Sequence, residues 1–154
     1  MIVAGSTTLA LTPARLRALL EDPEQLSAAL PGVDGFTWSE RPGEGPFEAT
    51  IRPALALGEI PLRTVWERQS GAEDELRYRV EGRTDEHRVA FDVVLRITPA
   101  ANGAAGEAAA TVAWELDCHV TGTLRSAGQR VIAPIVDRQV RTVLAAAERA
   151  GAAS

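Results

Sequence analysis

From Gly35 to Thr121 apolar and polar side chains alternate with a period of two, the mark of strands that bury one face. Leu62, Thr64 and Trp66 share a phase, as do Leu76, Tyr78 and Val80, then Val89, Phe91, Val93, Leu95 and Ile97, and finally Val112, Trp114, Leu116, Cys118 and Val120. Between them stand Arg63, Glu67, Arg77, Arg79, Glu81, Asp92, Arg96, Glu115, Asp117 and His119, so one face is apolar and the other meets water. Phe36 with Trp38, and Phe47 with Ala49, Ile51, Leu55 and Leu57, extend the pattern upstream. Pro53 cannot donate to a ladder and predicts an edge or a bulge there. Turn formers separate the runs at Arg41 to Pro46, Ser70 to Asp74, Arg83 to Glu86 and Ala100 to Gly106, where Asn102-Gly103 is the hairpin signal. Gly58-Glu59 reads as a tight hairpin turn. The whole is an antiparallel meander.

Other periods flank it. Met1 to Leu11 mixes Val, Thr, Leu and Ile without a helical stripe and reads as a strand. Thr12-Pro13 then supplies a capping hydroxyl and a proline at the first helical position, which opens a helix over Pro13 to Leu20. Asp22 caps a second short helix, with Pro23 at its first position and Gln25 placed for a capping box, and Pro31-Gly32 stops it. From about Ser126 to Ala150, Ile132, Val136, Val140, Val143 and Ala147 follow helical spacing, with Arg130, Arg138, Arg141 and Arg149 off the stripe. Pro134 requires either that the helix start near Arg130 and Val131 or that it kink. The fold class is α+β: a curved antiparallel sheet of about seven strands wrapped around a long C-terminal helix, with two short helices after the first strand. A single domain over residues 1–150 is expected, with 151–154 a frayed tail.

Composition narrows the function. The 154 residues suit one core, with 45% apolar and 24% charged residues. A net charge of -5 and a pI near 5.1 oppose attraction to phosphate backbones, so no nucleic-acid partner is expected. Cys118 is the only cysteine, which excludes an internal disulfide and a multi-cysteine metal site. All sixteen basic residues are arginine, as codon bias in a GC-rich genome produces. No secretion signal or membrane-length apolar run is present, and a cytoplasmic location is expected.

The order of elements resembles the helix-grip architecture of the START-like and pollen-allergen-like superfamily. Within it, Asp22-Pro23-Glu24-Gln25-Leu26 followed by Leu30-Pro31-Gly32-Val33 is similar to the signature of the CoxG family, accessory proteins of carbon monoxide dehydrogenase. Phe47-Glu48-Ala49 at a strand start, and Val120-Thr121-Gly122-Thr123-Leu124 leading through Gly128, Arg130 and Ile132 into the helix, resemble that family too. The resemblance implies a non-catalytic accessory protein that handles an isoprenoid quinone or lipid beside a molybdenum hydroxylase complex of the carbon monoxide dehydrogenase type. It also implies transient membrane contact at the inner face. Pro134 and the lack of an extended apolar tail depart from the family pattern.

A curved sheet and one gripping helix leave a gap between them, and an apolar ligand suits that gap. Trp66, Tyr78, Phe91, Val93, Trp114 and Leu116 from the sheet, with Val136, Val140 and Val143 from the helix, are the candidate ligand-binding residues. Trp66, Tyr78 and Trp114 add polar handles that a quinone carbonyl could satisfy. The mouth is expected between the short helices and the long one, gated near Pro31-Gly32 and Gly58-Glu59. Asp117 and His119 share the solvated face while Cys118 points the other way, so no nucleophile and base pair forms on a regular strand. His87 beside Asp85 and Glu86 reads as a surface residue. No catalytic residue, metal site or cofactor is expected. Two other readings stay open: a cyclase or hydrolase of the same superfamily, which needs polar groups in the cavity, and an interaction module with a filled core.

Overall fold

In the computed structural model, residues 1–30, 32–41, 45–52, 54–55, 58–59, 61–85, 87–100, 109–121 and 129–152 are described, apart from the side chains of residues 34, 54, 55, 58, 59 and 129. Pro31, Pro53, Leu57, the Asn102-Gly103 turn and the Gly122 to Gly128 stretch lie outside them. The chain begins with β1 (Ile2–Leu9), followed by α1 (Pro13–Leu20) and α2 (Pro23–Ala29). The strands β2 (Val33–Trp38), β3 (Phe47–Ile51), β4 (Ala54–Leu55), β5 (Gly58–Glu59), β6 (Leu62–Gln69), β7 (Glu75–Arg83), β8 (Arg88–Pro99) and β9 (Ala110–Thr121) come next. α3 (Gln129–Ala152) closes the chain.

Seven strands form one curved antiparallel sheet in the order β1-β9-β8-β7-β6-β3-β2, and β4 pairs only with β5. This is the helix-grip arrangement that the period-two run and the flanking helices predict. Each short helix begins as its cap residues require: the Thr12 hydroxyl accepts from the Arg15 N–H at 3.1 Å, and the Asp22 carboxylate from the Gln25 N–H at 3.2 Å. The reciprocal arm of the capping box is replaced, because the Asp22 N–H donates instead to the Leu19 carbonyl at 3.2 Å. Gly32 after α2 takes a φ of +76°, the left-handed geometry a helix stop favours.

The start of α3 agrees with its expected place near Arg130, while other expectations are corrected. Gly58 and Glu59 are not the hairpin turn but its second arm, with Leu55 opposite Gly58 and Ala54 opposite Glu59. α3 starts at Gln129, within one residue of the expected start, and Pro134 lies inside it, where it cannot donate to the Arg130 carbonyl. α3 runs on past Ala150 to Ala152, and Gly151 is held close against Leu11. At the far edge of the sheet, the β2–β3 register shifts between Asp34 and Thr37 around Gly35, whose φ is +65°.

The core lies between the apolar sheet face and the helices. Leu16, Leu19 and Leu20 of α1, Leu76, Val80, Val112 and Trp114 of the sheet, and Leu144, Ala146 and Ala147 of α3 are all buried within it. The small residues of α3 let its C-terminal half approach β1 and α1 closely. α3 makes its near approaches to α1, α2 and β1 rather than to the middle strands of the sheet. The space over β6, β7 and β8 is therefore left underfilled.

On the opposite face Glu75 is buried beneath two arginines. Arg96 Nη2 donates to its Oε1 at 2.7 Å and Arg77 Nε to its Oε2 at 2.9 Å. Arg96 first, then Arg77, holds the Glu75 carboxyl below its ordinary value of 4.5. A lowered native pKa contributes stability that is fully present above the unfolded value and is lost as pH falls through the native one. Glu75→Gln is therefore expected to lower stability at pH 7 and to flatten the acid limb below about pH 4.5, as read by urea denaturation across pH. An acid limb as steep as that of the wild type would place the titrating group elsewhere.

Candidate ligand cavity

Between the middle of the sheet and α3 lies a cavity of about 240 Å3. Its floor is the inward phase of five strands: Phe47, Ala49 and Ile51 from β3, Leu62, Thr64 and Trp66 from β6, Tyr78 and Val80 from β7, Phe91, Val93 and Leu95 from β8, and Leu116 from β9. Its roof is Ile135, Val136, Gln139, Val140, Val143 and Leu144 of α3, and its wall is Leu20, Pro23, Leu26, Ser27, Leu30 and Val33. The lining is buried at Val80, Val93, Leu116 and Leu144 but half-exposed at Leu30, Val33, Ile51, Leu62, Ile135 and Gln139. The mouth thus opens between the end of α2 and the first half of α3.

Of the residues expected to line it, Trp66, Tyr78, Phe91, Val93, Leu116, Val136, Val140 and Val143 do so. Trp114 does not. It stands opposite Gly5 across the β1–β9 ladder, and its indole occupies the room the absent side chain leaves: a Cβ on Gly5 would sit 2.5 Å from Cζ2. Arg141 covers the other side of the ring, with its guanidinium carbon 4.9 Å from the centroid. The indole N–H of Trp114 is buried without a hydrogen-bond partner, and it is buried in the core, not in the cavity.

Phe47, Ile51, Leu26, Leu30 and Gln139 line the cavity as well, beyond the residues expected there. The sequence carried a signal for three of them, Phe47, Ile51 and Gln139. Phe47 and Ile51 share the inward phase of β3, and Gln139 sits with Val136, Val140 and Val143 at the spacing of one helix face.

Phe47 anchors an aromatic array at one side of the cavity. It stacks on its cross-strand partner Trp66 at 5.8 Å between centroids, meets Tyr78 at 6.5 Å, and touches Phe36 and Trp38 at 5.2 and 5.5 Å. Trp38 Nε1 donates to Glu24 at 3.3 Å, which ties this edge to α2. Two of the polar groups in the lining are already paired with protein. Trp66 Nε1 donates to the Thr64 hydroxyl at 2.8 Å, and that hydroxyl donates to the Ala49 carbonyl at 2.7 Å. Trp66 therefore presents a ring rather than the free donor expected of it. Burial raises the Tyr78 phenol above its ordinary value, an effect that Arg68 beside it opposes.

Among the described lining residues there is no carboxylate, imidazole, thiol or guanidinium. Cys118 faces inward but is buried in the core, and burial pushes its thiol up to about 11. Asp92, Asp117 and His119 do converge, yet on the water-facing side of the sheet, where His119 Nε2 lies 3.4 Å from Asp117 and Arg79 lies 3.8 Å from Asp92. No described helix is long and apolar enough to cross a membrane.

Residues 2–150 match the model of the polyketide cyclase / dehydrase and lipid transport family. This chain is a member of that family. Its fold is also that of several solved structures of low identity. A conserved protein from Geobacillus kaustophilus is 19% identical, with a TM-score of 0.84 over 100% of this chain and 97% of its own. A START superfamily protein from Mycobacterium smegmatis is 14% identical, with a TM-score of 0.73 over 96% of this chain and 94% of its own. The Zhui aromatase/cyclase from Streptomyces sp. R1128 is 13% identical, with a TM-score of 0.65 over 98% of this chain and 93% of its own. No curated protein sequence matches the chain. The family takes in both cyclases and lipid carriers, so membership fixes the architecture and leaves the chemistry to the cavity.

The pairing of Thr64 with Trp66 gives a direct check. Thr64→Val keeps the shape and deletes the acceptor, leaving a half-buried indole N–H unpaired at a cost of about 1–3 kcal/mol. Urea denaturation should show that loss, with a shift in tryptophan emission. Unchanged stability and emission would mean that the indole finds another acceptor.

Proposed function

We propose that this protein binds an apolar small molecule in the cavity between the sheet and α3, as a carrier or accessory protein and not as a catalyst. The carrying observation is the lining itself, which is apolar and aromatic and whose Trp66 and Thr64 groups are paired with protein. Such a site rewards the removal of hydrocarbon and rings from water and offers little to a charged transition state. The cavity falls just below the usual range of about 300–1,000 Å3 for small-molecule sites. It suits a ring system or the end of a chain, with any longer tail leaving through the mouth.

The resemblance of residues 22–33 to the CoxG family supports a narrower version. In it the ligand is an isoprenoid quinone or a lipid, the stacked rings of Phe47 and Trp66 receive its headgroup, and the protein serves a molybdenum hydroxylase from the cytoplasmic side of the membrane. A second reading rests on Tyr78, the one titratable group in the described lining. As a neutral phenol it could donate a proton to a carbonyl during cyclisation of a polyketide-like chain.

Native mass spectrometry of protein from its own host, followed by organic extraction, tests the binding reading. A stoichiometric apolar molecule is expected. Val140→Trp, which fills the cavity from α3, should weaken its uptake by about tenfold or more while the fold is kept by circular dichroism. An empty protein that also fails to take up menaquinone or fatty acid in titration overturns the proposal. Turnover of an added polyketide-like substrate, lost in Tyr78→Phe while uptake is retained, would establish the cyclase reading instead.

A further inference from the structure

On the water-facing side of the sheet, at its mouth end, Arg63, Arg83 and Arg88 form one row across β6, β7 and β8. Arg63 is the direct partner of Arg83, Arg83 of Arg88, and Arg88 in turn of Thr121 on β9. Adjacent strands lie about 4.8 Å apart, so three guanidinium stems rise side by side. Like charges directly opposite one another on antiparallel strands destabilise the pairing.

Other arginines of the sheet avoid this. Arg77 and Arg96 share Glu75, Arg79 lies near Glu81 and Asp92, and Arg68 reaches Glu21. Arg63, Arg83 and Arg88 make no ion pair and no side-chain hydrogen bond among the described residues, although the chain carries 21 acidic residues against 16 basic ones. The three also wall a concavity of about 550 Å3, together with Thr84, Asp85, His87 and Thr121. The hairpin behind it is braced: the Thr84 N–H donates to the His87 carbonyl at 3.0 Å, and the His87 N–H to the Thr84 hydroxyl at 3.1 Å. Among the described residues of that wall Asp85 is the only carboxylate, so three permanent positive charges meet one described negative charge.

We infer that this concavity is an anion site for a phosphate-type oxyanion, either a soluble phosphate ester or the headgroup of a lipid, held by Arg63, Arg83 and Arg88. Guanidinium forks match the oxygens of a tetrahedral dianion, and charge-assisted hydrogen bonds are the strong ones. An anion shared by all three removes the repulsion along the row, with Arg83 as the central contact. The site lies on the other face of the sheet from the cavity and stands whether or not the cavity binds an apolar molecule.

The test uses the full chain and inorganic phosphate at pH 7, with ionic strength held constant by sodium chloride. Amide resonances at residues 63, 83–85, 88 and 121 should shift saturably, with affinity about tenfold weaker in Arg83→Gln, the loss of one charge-assisted hydrogen bond. Without phosphate, Arg83→Gln should melt above the wild type because the central like charge is gone, and phosphate should stabilise it less. Shifts that grow without saturation, or that are the same in Arg83→Gln, overturn the inference, as does a variant that melts lower. Co-sedimentation with phosphatidylcholine vesicles, with and without phosphatidylglycerol, separates the sources. Binding to the anionic vesicles alone, lost in Arg83→Gln, assigns a lipid headgroup, and saturation by phosphate without vesicle binding assigns a soluble phosphate.

Discussion

The pairing of β1 with β9 sets the conditions for everything above the sheet. It joins the first strand to the last along eight consecutive pairs, from Ile2 with Asp117 to Leu9 with Ala110, and it leaves β1 and β2 at opposite edges. The segment between those two strands is α1 and α2, so the two short helices must cross the concave face to reach the far edge. α3 then packs against α1, α2 and β1, where alanines and Gly151 allow a close approach. The same contacts hold it off β6, β7 and β8. The cavity is thus a product of topology: the elements that could fill it are tied down elsewhere.

What the cavity can do follows from how its polar atoms are spent. The Thr64 hydroxyl accepts a hydrogen bond from the Trp66 indole N–H and donates one to the Ala49 carbonyl. That leaves ring faces and methyl groups, with the Tyr78 phenol, Ser27 and Gln139 as polar exceptions in the described lining. Discrimination among ligands then depends on shape and on stacking against the Phe47 and Trp66 rings. Uptake depends on the half-exposed residues of the lining, which come from the end of α2 and from α3 but also from strand ends at Val33, Ile51 and Leu62.

Much of this was legible in the chain because each middle strand buries one face, so that alternation alone puts Trp66, Tyr78, Phe91 and Val93 on a common surface. The helix caps at Thr12 and Asp22 were legible for the same reason, since a short polar side chain before proline has few other uses. Register was not legible, and the main errors trace to it. Trp114 shares the phase of the lining residues, but its place is decided by Gly5 on a strand more than a hundred residues away. The arginine row is invisible until β6, β7 and β8 are aligned, because its members are separated by turns in sequence. Gly58-Glu59 has turn composition yet becomes a strand arm, since residues 54–55 supply the opposite arm. The reach of α3 was legible to within a few residues despite Pro134, because its apolar stripe from Ile132 to Ala147 keeps helical spacing.

The shifted register in β2 matters beyond this molecule's own sheet. β2 is an outermost strand, and an outermost strand offers unpaired backbone groups on which a neighbouring chain can extend the ladder. The irregularity at Gly35 twists that border and interrupts the even spacing a second copy would need to zip onto it. Straightening the border by replacing Gly35 with a residue that resists positive φ would remove this protection. The two borders therefore differ as templates for a second copy: β2 is interrupted at Gly35, while β1 at the other edge runs in unbroken register from Ile2 to Leu9.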